Sequence, residues 1–173
     1  FWKDLHFKSG YKEIKTPIIL KDSLWKQSGH WDHYAESMYF TEVDETQYAL
    51  KPMNCPGGIL AYKTELVSYK DLPIRRGELG LVHRHEKSGE LNGLLRVRVF
   101  TQDDAHIYCL PEQIEEEIIG VLKLANIIYS RFGLTYEVEL STRPENFMGK
   151  IETWDKAENA LKNALNHENI PFV

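Results

Sequence analysis

Cysteine is scarce in this chain: Cys55 and Cys109 are the only two among 173 residues. A domain of this length buries roughly 70% of its unfolded surface, so a core forms without covalent staples. Two cysteines make no disulfide framework, and a reducing, cytoplasmic setting is the expectation. No apolar run approaches the roughly 18 residues that a membrane span needs, so no membrane partner is expected. The opening Phe1-Trp2-Lys3-Asp4 does not read as a secretion signal and lacks an initiator methionine. Cations are not in excess either. Lys plus Arg is 21 against 26 for Asp plus Glu, a net charge of −5, which argues against a bulk nucleic-acid binder. Contact with RNA then has to come from local basic patches. Internal repeats and low-complexity linkers are also missing. What is there is 42% hydrophobic and 12% aromatic, enough to fold as one domain or a piece of one.

The pattern along the chain mixes helices and strands. Residues 1–9 read as the tail of a helix stopped by Gly10, and residues 11–15 as a strand ending at Thr16-Pro17. Asp22 or Ser23 can cap a short helix that ends at Gly29. Two short strands, 38–43 and 47–50, flank an acidic turn. Pro56 suits the first turn of a helix continuing over 59–69. Strands follow over 81–86 and 94–108, around a polar hairpin tip at 87–93. The clearest helix spans 111–132: Ile114, Ile118, Val121, Leu122, Ala125, Ile128, Tyr129 and Phe132 share one face. A strand over 135–140 and a helix capped by Thr153 complete the pattern. The apolar ending Ile170-Pro171-Phe172-Val173 suggests entry into another strand and a piece of something longer.

Residues 96–106 carry the most chemical information. On a strand, Arg96, Arg98, Phe100, Gln102, Asp104 and His106 share one face, and Val97, Val99, Thr101, Asp103 and Ala105 the other. The second set is mostly small and apolar and is expected to pack inward. The first mixes cations, an aromatic ring, an amide, a carboxylate and an imidazole, which is unlike ordinary solvent cover. Arginines bind phosphate in bidentate fashion, and an exposed aromatic ring can stack a base. Arg84 and Glu86 share a face in His83-Arg84-His85-Glu86, and a hairpin sets them beside Arg96 and Phe100. A cross-strand salt-bridge ladder is the plainer use of these charges. Three arginines around one aromatic suit a polyphosphate better.

Metal ligands are scattered. Cys55 and His106 lie far apart in sequence, whereas structural zinc sites use close pairs. By composition, Cys55 reads as a small buried apolar residue. His30 and His33 have a spacing compatible with one helical face and read as surface or capping residues.

Taken in order, several runs resemble the catalytic core of the threonyl-tRNA synthetases, a class II aminoacyl-tRNA synthetase family. These are Gly10-Tyr11-Lys12-Glu13-Ile14-Lys15-Thr16-Pro17, Ser28-Gly29-His30-Trp31-Asp32 and Lys51-Pro52-Met53-Asn54-Cys55-Pro56-Gly57. His83-Arg84-His85-Glu86 and Leu95-Arg96-Val97-Arg98-Val99-Phe100-Thr101-Gln102-Asp103-Asp104-Ala105-His106 are the strongest. Leu140-Ser141-Thr142-Arg143-Pro144-Glu145 and Trp154-Asp155 continue the likeness, which covers essentially the whole chain.

The resemblance implies an α+β fold, an antiparallel sheet flanked by helices, forming the N-terminal part of a catalytic core over residues 1–173. It implies threonine–tRNA ligase activity: threonine and ATP, with Mg, give threonyl-adenylate, and the threonyl group passes to tRNA(Thr). Arg84 would hold the α-phosphate and the amino-acid carboxylate. Glu86 would accept from the adenine amino group, Phe100 would stack on adenine, and Arg96 would bind phosphates. The 87–93 loop would meet the tRNA acceptor end. Met53, Gln102 and Asp104 would line the threonine pocket, with Asp104 on the hydroxyl. Cys55 and His106 would be two of three protein ligands to zinc. His30 would assist proton removal from the terminal ribose. The motif ending at Pro17 implies a homodimer in the full-length enzyme.

Gly58 stands where the family often has His, and Val99 where Gly is frequent. The third class II motif, the third zinc-binding His and the anticodon-binding domain are expected outside this chain, so the piece alone is expected to be inactive. If another residue here completes a zinc site, Cys109 and His33 are the first candidates. The rival reading is a non-catalytic synthetase-like module that binds nucleotide or RNA.

Overall fold

Helix α1 (Trp2–Lys8) stops at Gly10, whose φ of +82° lies in the left-handed region that glycine enters without strain. The chain then runs as β1 (Tyr11–Glu13), β2 (Ile19–Lys21), α2 (Asp22–Gln27), α3 (His30–His33), β3 (Phe40–Val43), β4 (Thr46–Leu50) and α4 (Cys55–Lys63). Strands β5 (Ile74–His83) and β6 (Val99–Tyr108) follow, then α5 (Ile114–Arg131) and α6 (Ile151–His167). The computed structural model describes residues 1–173 and separates two compact units, Phe1–Ile107 and Tyr108–Val173. The arrangement is α+β, and no helix is long and apolar enough to cross a membrane.

The first unit holds two three-stranded sheets. In the sheet ordered β2-β4-β3 all pairs are antiparallel, with Ile19 opposite Leu50 and Phe40 opposite Ala49. The acidic turn is formed by Asp44 and Glu45, both at positive φ (49° and 59°), which matches the twist of a two-residue hairpin. Trp25, Met38 and Ala49 form a fully enclosed cluster against this sheet, with Leu20, Trp31 and Tyr34 packed around it. The second sheet is ordered β1-β5-β6, and its β1–β5 pair is parallel, Tyr11 facing Arg75. That pair departs from the purely antiparallel expectation. A parallel neighbour needs a long connection, and one strand, three helices and a hairpin are folded into it.

From Val99 onward β6 alternates as read, but Arg96 and Arg98 precede the strand, and its polarity of burial is reversed. Phe100, Gln102, Asp104 and His106 are half-buried, whereas Val99, Thr101, Asp103 and Ala105 are exposed. The mixed face is covered by the Lys51–Cys55 segment and the start of α4, through contacts described below. On the opposite face Val99 lies open together with Leu79 and Leu81 of β5. There Asp103 meets His6 of α1 at 3.2 Å.

Three local expectations are corrected. The helix expected over 59–69 ends at Lys63: the Thr64 hydroxyl donates back to Ala61 O at 2.7 Å, and Ser68 caps a separate 3-10 turn, Tyr69–Asp71. In the second unit, α6 begins at Ile151 behind extended Lys150, so Thr153 is inside the helix and caps nothing. The strand expected over 135–140 is only a bridge, Val138 to Phe172, closed by Leu140 N–H donating to Val173 O at 2.8 Å. The long helix begins as a 3-10 turn, Pro111–Gln113, and continues as α5 to the stop at Gly133, φ +66°. Glu115, Glu116 and Glu117 occupy its first turn, where the helix dipole favours them.

Candidate nucleotide and metal site

The segment between β4 and α4 is anchored by a buried charge network. Lys51 is 1% exposed and Glu78 4%. Lys51 Nζ donates to Glu78 Oε1 at 2.9 Å and to Thr16 Oγ1 at 2.8 Å. Thr16 in turn donates its N–H (2.8 Å) and its hydroxyl (2.9 Å) to Glu78 Oε1. Two charges out of water are tolerated because each is paired and hydrogen-bonded. The backbone is fixed as well: Lys51 N–H donates to Ile18 O, and His83 N–H donates to Lys51 O. Gly57 packs so close to Thr16 that an added Cβ would stand 3.0 Å from it. Pro52, Met53, Asn54 and Cys55 are therefore held rigidly against β5 and β6.

Arg84 and Phe100 come together as the strand parity predicts. The Arg84 guanidinium carbon lies 5.1 Å from the Phe100 ring centre, and Arg84 Nε donates to Pro52 O at 3.2 Å. That bond leaves the two Nη groups as the donors for a ligand. Arg84 N–H donates to Arg98 O at 2.8 Å, which locks the strand ends together. Arg96 is held by Glu86 Oε2 at 3.0 Å and by Glu90 Oε2 at 3.3 Å. The Glu86–Arg96 ion pair thus forms beyond the strand ends, and a phosphate has to compete with two carboxylates for Arg96. Arg98 Nε donates to Glu86 O at 3.0 Å, so both arginines fix the acid that lies between them.

At the other end of the same face, Cys55 Sγ, an Asp104 carboxylate oxygen and a His106 ring nitrogen lie within 4.8 Å of one another. All three residues are half-buried. Ligand atoms about a tetrahedral zinc are roughly 3.5 Å apart, so small shifts suffice to close the cluster on one ion. The third member is Asp104; neither Cys109 nor His33 joins it. Burial pushes the Cys55 thiol above its ordinary range, and the Asp104 carboxylate adds to the rise. A side chain at Gly58 would touch the His106 ring at an ordinary contact distance, so the departure at 58 leaves this residue in place.

His30 stands at the start of α3, behind Gly29 at φ +76°. Its Nδ1 pairs with Ser28 Oγ at 2.8 Å and its Nε2 meets Met53 Sδ at 3.3 Å, so the ring is fixed beside the Lys51–Cys55 segment. Burial lowers its pKa, an effect that outweighs the opposing contribution of the Ser28 backbone.

Apart from Cys109, every residue proposed from the sequence for nucleotide, threonine or metal binding lies in the first unit. Sequence reasoning missed Thr16, Lys51 and Glu78, Glu90, and above all Asn54. Asn54 Nδ2 donates to Asp104 Oδ2 at 3.1 Å and to Gln102 Oε1 at 3.3 Å. Asn54 stands directly before a helix, and nothing local in the sequence points to its use across the sheet.

The family profile described as tRNA synthetase class II core domain (G, H, P, S and T) matches residues 39–166. A threonine–tRNA ligase of Acetivibrio thermocellus is 63% identical over 172 residues, covering 99% of this chain and 27% of its own length. The RNA binding domain of a threonyl-tRNA synthetase from Cryptosporidium parvum superposes with a TM-score of 0.94 at 45% identity, over 99% of this chain and 43% of that one. A putative threonyl-tRNA synthetase of Aeropyrum pernix gives 0.91 at 36% identity, over 99% and 41%. The chain thus spans 27% of the length of the curated relative it matches.

Proposed function

The chain belongs to the family of class II tRNA synthetase core domains, and from that membership we propose that it forms the ATP- and threonine-binding part of a threonine–tRNA ligase. The observation that carries the reading is a shared face: the Arg84–Phe100 pair and the Cys55–Asp104–His106 cluster line the same side of one hairpin. A nucleotide at one end and an amino acid at the other have their reacting atoms between them.

In the first step a threonine carboxylate oxygen attacks the α-phosphorus of ATP, the bond to the bridging oxygen breaks, and pyrophosphate leaves with Mg. Arg84, aimed by Pro52 O and backed by Phe100, offers its Nη donors to the α-phosphate as charge builds there. Phe100 carries the adenine ring, Glu86 receives its amino group, and Arg96 turns from its carboxylates to the phosphates. Catalysis is positioning and charge stabilisation. In the second step the terminal ribose hydroxyl of tRNA(Thr) attacks the activated carbonyl and AMP leaves. His30, kept neutral by burial, assists removal of the hydroxyl proton. Residues 87–93 meet the acceptor end.

The donor set suits zinc: a thiolate and an imidazole, close together and half-buried. Cys55 and His106 would hold it with a third His from elsewhere in the protein. Held there, the ion would supply Lewis-acid positions suited to an amino and a hydroxyl group. Asp104 takes the hydroxyl proton side, with Gln102 and Met53 lining the pocket. This answers a selectivity problem, because an apolar pocket separates threonine from valine only about 10²-fold. Homodimer formation through the segment ending at Pro17 and a cytoplasmic location complete the proposal.

The test is pyrophosphate exchange by the full-length protein. Exchange driven by threonine, and at least ten times less by valine, is expected. ATP binding without exchange for any amino acid would leave a nucleotide-binding module instead.

A further inference from the structure

Asn54 occupies the cap position of α4, and its backbone carbonyl accepts the Gly58 N–H at 2.9 Å. Its side chain makes no cap bond. It turns to β6 and donates both to Asp104 Oδ2 (3.1 Å) and to Gln102 Oε1 (3.3 Å). A cap asparagine ordinarily spends its amide on its own helix. A carboxylate only accepts, so the nitrogen of the amide must face Asp104, and this fixes the orientation of the group. Asn54 is 1% exposed, and its Oδ1 is buried without a partner. The room comes from Gly80 on β5: a β-carbon there would collide with the Asn54 amide. A side chain that leaves its cap, buries an unpaired oxygen and requires a glycine opposite is arranged for its two donor contacts.

We propose that Asn54 is a positioning residue for the β-hydroxy amino acid, clamping the Asp104 carboxylate and the Gln102 amide, with Gly80 as the space that admits the clamp. This rests on the threonine pocket proposed above. With Oδ2 tied to Asn54, Asp104 presents Oδ1 alone to a substrate hydroxyl. The same amide, shared with Gln102, keeps the two pocket residues in one register. Loss of the amide frees both side chains to rotate and lets Asp104 turn toward water. Threonine binding weakens, and ATP, at the other end of the face, is unaffected.

The experiment uses the full-length protein and the variants Asn54→Ala and Gly80→Ala, with their double variant. Threonine binding is titrated calorimetrically, KM for ATP is read from pyrophosphate exchange, and thermal melting monitors the fold. Losing a hydrogen bond to a charged group should weaken threonine binding about ten- to a hundredfold, with KM for ATP within about twofold of wild type. Gly80→Ala, which removes no polar atom, should reproduce the defect, and the double variant should be no worse than either single one. Wild-type threonine affinity in both variants overturns the role. So does parallel weakening of threonine and ATP, or loss of cooperative melting, because Asn54 then serves the fold. Threonine binding by wild type with unaffected variants removes only the role of Asn54. A wild-type protein that does not bind threonine removes the underlying reading and this role with it.

Discussion

The Arg84 guanidinium lies over the Phe100 ring, 5.1 Å from its centre, with Nε bonded to Pro52 O. The stacking face is therefore shared between a cation and the site proposed for adenine, and the cation is aimed before any ligand arrives. Arg84→Ala in the full-length protein should lower the rate of pyrophosphate exchange about 10²- to 10³-fold, as when a preorganised donor to developing charge is lost. Its melting temperature should fall little, since the side chain makes one backbone contact. Exchange at the wild-type rate would reject the role.

How much of this was legible beforehand depended on range. Side-chain parity is a local property, so the pairings of Arg84 with Phe100 and of Glu86 with Arg96 could be read from two short runs. Which side of the sheet is covered is not local. Val99 and Ala105 read as inward because they are small or apolar, yet the mixed face is the one beneath the Lys51–Cys55 segment. The resemblance supplied Cys55 and His106, which spacing alone could not pair. Nothing in the sequence joined Lys51 to Glu78 or Asn54 to Asp104. Lys51 follows β4 and Glu78 lies in the middle of β5, and their burial follows only from packing three distant segments together.

That buried network yields a stability prediction. Lys51→Met leaves Glu78 charged among residues almost fully withdrawn from water. Breaking one side of a buried pair costs about 3–5 kcal/mol. Adding Glu78→Gln removes the orphaned charge and keeps an acceptor for both Thr16 donors. The double variant should therefore unfold at higher urea than Lys51→Met alone. A double variant less stable than the single would show that the charge itself is not the problem.

His30 gives a pH dependence with a definite sign. Burial holds its pKa below the ordinary 6.5, so the ring is neutral at pH 7 and ready to accept a proton. Single-turnover transfer to tRNA should be flat above pH 6.5 and decline only on further acidification, and His30→Ala should be slow throughout. The stability term has the same direction. The unfolded ring binds a proton more readily than the folded one, so the contribution is present above the unfolded pKa and is lost as pH falls. An acid limb centred above pH 7 would contradict the burial argument.

Asp104 sits among the candidate metal ligands and also under the Asn54 clamp, and proximity does not distinguish a ligand from a substrate group. Substitution does. Cys55 and His106 are the proposed ligands, and Asp104 is the proposed partner of the threonine hydroxyl. The full-length protein should then hold one zinc per chain, and cobalt substitution should add the near-ultraviolet absorption of a thiolate–metal bond. Cys55→Ala and His106→Ala should each lose metal on dialysis, because a catalytic zinc site needs three protein ligands. Asp104→Asn should keep the metal and its thiolate band but lose most of its preference for threonine over valine. The thiol must give up a proton to bind, and burial together with Asp104 raises its pKa. Metal affinity should thus weaken as pH falls, by about tenfold per unit for one displaced proton. Asp104→Asn removes one cause of that rise, so acid should begin to weaken metal binding at a lower pH, with the same slope. Loss of zinc from Asp104→Asn would instead make the carboxylate a ligand, and the threonine hydroxyl would need another partner.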